Sequence, residues 1–322
     1  MTTISARSIL ASRHAANPHK RLDTLLLRYP RCIHAELMTH RMFSRNAASS
    51  RAIPVEKMIQ SVLDDPFVPL HWGKNQKGMQ ADEECDALVE LTGLVVEHEH
   101  GERDTYRQEL VQTAREGAWL KAMNEAVATA RAFAKAGYHK QIVNRLIEPF
   151  MHITVLVSST NWSNWMALRD HPDAEPHIQI LARRMGDALA DAKVQSLEPG
   201  QWHLPFVDVV DEHGAPSLLS GGDALDNAIK LSVARCASTS YKTVDGFDMD
   251  LERATAIYDK LYTMRPAHAS PFEHQAVPDV LVPGEVGPYG EWRVEQWQKP
   301  YLSGNFGPGW VQFRKTMPDE CL

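Results

Sequence analysis

From Tyr106 to Ala130 apolar residues return every three to five positions, through Leu110, Ala114, Trp119, Met123 and Val127. A chain with such a stretch in its middle must bury a helical stripe against a partner surface. Thr105 reads as its cap and Gly137 as its stop, with Gly117 as a point of division. Arg145 to Ser159 is apolar enough for a buried helix. A further amphipathic helix sets Ile178, Leu181, Met185 and Leu189 on one face and Arg183, Arg184 and Asp187 on the other. Shorter helices are expected at Val55–Leu63 and Asp250–Tyr262, and Leu231–Tyr241 suits helix or strand.

Strands are expected outside this middle section. Leu25 to Ala35 reads as a buried strand that Pro30 bends or interrupts, and Trp310 to Phe313 as a short one. His71 to Gly78 has no internal period and reads as a loop. Val194 to Ala224 carries Pro199, Pro205, Pro216 and several glycines, the composition of a linker. The fold class is therefore α+β, a mixed α/β domain with a helical middle section. At 322 residues the chain can bury a full core without staples.

Composition removes several function classes. Lys+Arg 34 against Asp+Glu 41 leaves a formal charge of -7, which disfavours extended contact with nucleic acid. The four cysteines, Cys32, Cys85, Cys236 and Cys321, form no C-x-x-C pair, the pattern of a reduced cytoplasmic protein without a thiolate zinc site. No apolar run approaches the roughly 18 residues of a membrane span, and the opening residues do not resemble a secretion signal. A soluble, cytoplasmic protein is the expectation.

Chemistry is concentrated unevenly. Glu97-His98-Glu99-His100 holds metal-ligand types, but its histidines stand two apart and share a face only in a strand, so no metal site is assigned. No G-x-S-x-G elbow occurs, Cys32 lies in an apolar run that suits a core thiol, and Gly284, Gly287 and Gly290 do not form a dinucleotide fingerprint. The stretch Thr39 to Arg51 is different. Three arginines, one histidine, one asparagine and three serines in 13 residues follow the buried strand directly. Guanidinium forks and hydroxyls suit phosphates and a heterocycle, although a solvated basic loop has the same composition.

Thr39-His40-Arg41, seven residues and Ser49, with Asn46 and Arg51, resembles the signature of the flavin-dependent thymidylate synthases. Pro30 to Glu36 resembles the family's preceding strand. Asn144-Arg145-Leu146-Ile147-Glu148-Pro149 resembles its Ala-Arg-x-x-Leu-Pro, and Asn161, Asn164 and Ala167-Leu168-Arg169, then Ala174-Glu175, resemble its Asn-rich segment. Ser232 to Tyr241 and His268-Ala269-Ser270-Pro271-Phe272-Glu273-His274 resemble two segments that usually precede the signature. Here both follow it, so the chain resembles a circularly permuted, phage-encoded branch, one domain spanning 1–322 with 194–224 joining the permuted halves. Permutation is tolerated where the new break falls in a surface loop.

The resemblance implies transfer of a one-carbon unit from methylenetetrahydrofolate to C5 of a pyrimidine deoxynucleotide, dUMP to dTMP first. FAD carries the hydride and NADPH is the reductant. It implies that His40, Arg41, Met42, Asn161, Asn164, Ser240, His268, Ser270 and Glu273 contact FAD. Glu36, Thr39, Ser49, Ser50, Arg51, Arg145 and Arg169 then contact the nucleotide, with Arg169 catalytic beside N3. It also implies a homotetramer with sites shared between subunits. Thr39, Glu36 and Ala47 depart from the family's Arg, Gln and Glu, and Arg45 or Arg314 could replace the lost charge. A dCMP or hypermodified-pyrimidine enzyme, and a noncatalytic flavin- or nucleotide-binding protein, stay open as alternatives.

Overall fold

The first strands are built by residues that alternate or run apolar. β1 (Ser5–His14) pairs antiparallel with β2 (Arg21–Pro30), with an irregularity between Ser8 and Leu10. The computed structural model describes residues 3–97, 105–207, 222–240, 249–284, 295–318 and 320; the side chains of 94–97, 105, 106, 108 and 240 lie outside that description. The chain continues through α1 (His34–Met38), β3 (Ser44–Ala47), α2 (Val55–Asp64), β4 (Val89–Glu97), β5 (Thr105–Thr113), α3 (Arg115–Lys135) and α4 (Lys140–Val143). There follow β6 (His152–Ser159), α5 (Ser163–Arg169), α6 (Pro176–Ala190), β7 (Val194–Leu197), α7 (Gly222–Ala237) and α8 (Leu251–Thr263). Four short strands end the chain: β8 (Ala276–Pro278), β9 (Leu281–Val282), β10 (Gln296–Trp297) and β11 (Trp310–Gln312). The fold is mixed α and β, as the sequence implies.

The chain forms two compact units. One comprises Ser50–His152 with Met1–Thr3 and Pro30–Cys32; the other comprises Ile4–Tyr29, Ile33–Ser49 and Ile153–Leu322. In the first, α2, α3, α4 and a 3-10 turn at Asn144–Phe150 pack around Ile59, Val127, Ala130, Val143 and Ile147, and β4 pairs with β5 as a two-stranded ribbon.

The second unit holds a five-stranded sheet in the order β3-β6-β2-β1-β7, with β3 and β6 antiparallel and β7 parallel to β1. One face buries Leu25, Leu27, Val155 and Val157 against Trp165 of α5 and Leu181 of α6. α6 starts with Pro176 in its first turn, and the Glu175 carboxylate accepts from the backbone N–H groups of His177 and Ile178. The opposite face buries Leu26 and Leu156 against Cys236 of α7.

Several sequence expectations need correction. The strand ends at Pro30, and Arg31 to Met38 is helical, since proline supplies no ladder donor and the chain turns there. Cys32 is exposed, while Cys236 is the buried thiol, its pKa pushed up by desolvation. Tyr106 to Thr113 is strand, paired residue for residue with β4, so the helix starts at Arg115 and passes Gly117 unbroken. Arg145 to Ser159 is a 3-10 turn followed by β6, because Pro149 ends helical pairing and Ile153, Thr154, Val155 and Val157 prefer a pleated strand. Val194 to Leu197 of the expected linker is β7, and 208–221 lies outside the described residues. His98 and His100 also lie outside them. Among the described residues no cluster could hold a metal ion, and no helix is long and apolar enough to cross a membrane.

Candidate functional site

Pro30 turns the chain into α1, whose five residues carry Glu36 and lead into a tight turn at Thr39–Arg41 before β3. α5 ends at Arg169, and this end faces that turn. Arg169 donates from NH1 to Glu36 Oε2 at 2.9 Å, from Nε to His40 Nε2 at 3.1 Å and from NH2 towards Thr39 Oγ1 at 3.4 Å. Because His40 Nε2 accepts, its imidazole is neutral with the proton on Nδ1. Burial, then the charges of Arg169 and Arg45, lowers its pKa. The ring is fixed by Phe43 at 5.7 Å and Trp165 at 4.8 Å between centroids. His40 is thus buried and turned to Arg169, while the neighbouring Arg41 and Met42 are exposed.

A second set of residues joins β3 to the distant segment His268–His274. Ser270 Oγ donates to Asn46 Oδ1 at 3.3 Å across a sequence separation of 224 residues. Asn46 Nδ2 donates to the Cys236 carbonyl, which ties in the end of α7. Gln312 of β11 bridges the same elements, donating from Nε2 to Ser44 Oγ at 3.0 Å and to the Glu273 carbonyl at 2.8 Å. The Glu273 carboxylate pairs with Arg314, which also donates to Glu320, and Lys315 pairs with Glu320. Desolvation raises the Glu273 pKa, and Arg314 and Arg45 oppose that rise by favouring the anion. Pro271 opens the Ser270–Glu273 turn and is buried with Phe272, so packing fixes the segment that presents Ser270 and Glu273.

The remaining expected residues are spread more widely. Asn161 is exposed, its Oδ1 accepting from Ser163 N at the start of α5; Asn164 and His268 are exposed. Ser240 closes the 3-10 turn after α7, and its side chain lies outside the description. Ser49 is half-buried at the end of the second unit. Ser50, Arg51 and Arg145 belong to the first unit. There Ser50 Oγ donates to Glu148, which also pairs with Arg31 at 3.1 Å, and Asn144 Nδ2 donates to the Ser50 and Ile53 carbonyls. Arg51 and Arg145 are exposed. Gln312 is absent from the expected site residues, while Ser44 and the buried His274 stand inside the quoted segments without an assigned role. Gln312 is an isolated polar position, legible only as a polar residue in the buried strand β11.

Neither a protein-family model nor a curated protein matches the chain. Solved structures similar to it include two of the UMP/dUMP methylase PolB from Streptomyces cacaoi. The one bound with 5-Br UMP is 16% identical, covers 59% of this chain and 90% of that chain, and has a TM-score of 0.40. The one bound with 5-Br dUMP is 13% identical, covers 59% and 91%, and also has a TM-score of 0.40.

Proposed function

We propose that this chain is a cytoplasmic, flavin-dependent enzyme that transfers a one-carbon unit from methylenetetrahydrofolate to C5 of a pyrimidine deoxynucleoside monophosphate. The observation that carries this reading is the meeting of β3 with the Ser270–Glu273 turn, 224 residues apart between Asn46 and Ser270. These are the segments that resemble one enzyme family in exchanged order, and a permuted chain of that family requires them side by side. The phage-like permuted branch and the homotetramer follow from the same resemblance.

The residues suit FAD chemically. Arg41, His268, Asn161 and Asn164 are exposed donors for phosphates and ring carbonyls, and the Ser270 hydroxyl and the Glu273 carboxylate add polar groups on the turn that meets β3 at Asn46. Bound and reduced by NADPH, the flavin would supply a hydride. In the overall exchange the C5 hydrogen leaves the base as a proton, a methylene carbon and a hydride arrive as methyl, and tetrahydrofolate is released. Arg51 and Arg145, with Ser49 and Ser50, hold the phosphate and sugar, and Glu36, Thr39 and Arg169 face the base. His40 acts as a positioning residue through the Arg169 Nε bond. No cysteine nucleophile is needed, and Cys236 is buried with a raised pKa, unsuited to that role.

The test is to titrate the purified full chain with FAD and record the visible spectrum, then add NADPH, methylenetetrahydrofolate and a pyrimidine deoxynucleotide and weigh the product. Flavin uptake with a C5-methylated or hydroxymethylated nucleotide is expected. A protein that takes up no flavin overturns the reading, and flavin uptake with no C5 product assigns the noncatalytic alternative.

A further inference from the structure

The Glu36–Arg169 pair puts an acceptor next to a donor fork. Arginine has five N–H groups, and His40, Glu36 and Thr39 engage one each on Nε, NH1 and NH2. One hydrogen on NH1 and one on NH2 therefore stay for a ligand. Glu36 Oε1 has no partner among the described residues, and the side chain is 40% exposed against 19% for Arg169. A planar ligand at this rim meets guanidinium hydrogens and, alongside, a bare carboxylate oxygen.

We infer that this pair reads a 4-aminopyrimidine edge, so that the preferred nucleotide is dCMP over dUMP. The inference rests on the reading above, with Arg169 at N3 of the base. Cytosine offers an acceptor at N3 and an amino donor at C4, the complement of a guanidinium flanked by a carboxylate; carboxylates accept from the cytosine amino group in the same way elsewhere. Uracil at the same place sets its N3–H against the guanidinium and its O4 against the carboxylate, donor on donor and acceptor on acceptor. A lone arginine would relieve the first clash by favouring loss of the N3 proton. Here the carboxylate 2.9 Å away offsets that cation and repels an N3 anion. Cytosine needs no such ionisation, since its amino group already donates electron density towards C5. Buried or clamped groups left unpaired by the wrong base are what make such discrimination large.

The experiment measures equilibrium binding of dCMP and dUMP to the flavin-loaded full chain, as wild type and as Glu36→Gln. Wild type should bind dCMP about tenfold tighter, within the range of one well-formed side-chain-to-base pairing. Glu36→Gln keeps the volume and can turn an N–H to O4, so its preference should fall to parity or reverse. Tighter or equal dUMP binding by wild type overturns the inference and leaves the proposed function standing, as does an unchanged ratio in Glu36→Gln. Failure of both nucleotides to bind overturns the inference and the proposed function together.

Discussion

At the scale of single residues, the second unit is marked by two histidines that are sealed in the core without charge. His203 spans Ser12 Oγ at 2.8 Å and Thr24 Oγ1 at 2.9 Å; Thr24 meets Ser158 Oγ at 2.6 Å, and Ser158 meets His274 Nδ1 at 2.9 Å. The chain of hydroxyls and imidazoles links β1, β2 and β6 to the loops that carry His203 and the segment ending in His274. Desolvation pulls both histidine pKa values from 6.5 down to about 3. Below pH 6.5 the unfolded chain takes up protons that the folded chain refuses until about 3, so stability is full above 6.5 and is lost as the pH falls through that window. At pH 5 each histidine should contribute about 2 kcal/mol of that loss. Denaturant midpoints should therefore drop between pH 7.5 and 5, and an unchanged midpoint would mean that one or both rings are protonated in the fold. The exposed Arg41 belongs to the same scale. If it holds a flavin phosphate by a charge-assisted bond, Arg41→Ala should weaken FAD binding by about 1.5 to 3 kcal/mol, read by titrating flavin fluorescence.

At the scale of elements, the candidate site depends on a glycine. Gly304 sits at φ +55, and a Cβ there would lie 1.9 Å from Gln312 Oε1. Gln312 is the side chain that joins β3 to the Glu273 turn. Gly304→Ala should therefore both strain the backbone and push Gln312 off its two partners, lowering stability by about 2 to 4 kcal/mol. Flavin uptake should fall with it, and wild-type values for both in this variant would show that Gln312 does not hold the elements together. Elements with one buried face were legible from sequence: α2 and α8 stand within a residue or two of their expected bounds, and α6 contains the expected stripe Ile178, Leu181, Met185 and Leu189, because an amphipathic stripe marks such a helix locally. β6 was not. It is buried on both sides of the sheet, so its apolar run carries no alternation to set it apart from a buried helix. β5 was missed for the related reason that Tyr106, Leu110 and Ala114 fit a helical step by coincidence, and only pairing with β4 decides. The Thr39–Arg51 stretch was legible because so many donors crowd one segment. Gln312 was not, since a single glutamine acquires its meaning from Ser44 and Glu273, which the chain brings to it from far away. Arg314, noted only as a spare cation, is committed to Glu273 and Glu320.

At the scale of the whole molecule, the proposed shared sites carry a consequence for mixed oligomers. The residues proposed for the nucleotide divide between the two compact units, Arg51 and Arg145 in one, Glu36, Thr39 and Arg169 in the other. Both exposed arginines of the first unit and the half-buried Arg169 carry charges that a dianionic phosphate and a base need together in one site. If the proposed homotetramer draws Arg145 and Arg169 of one site from different chains, complementation between variants follows. Arg145→Ala and Arg169→Ala should each abolish turnover alone, because each removes a charged partner of the nucleotide. Mixed and reassembled in equal amounts, they should regain about a quarter of the wild-type sites, the share in which both contributing chains happen to carry the intact arginine. If both arginines of a site belong to one chain, every site in the mixture lacks one of them and no activity returns. The readout is C5 product per flavin after co-denaturation and refolding, with sedimentation reporting the tetramer. A tetramer without recovery would refute the shared site while leaving the proposed reaction intact, and recovery near one quarter would place residues of two chains around each nucleotide.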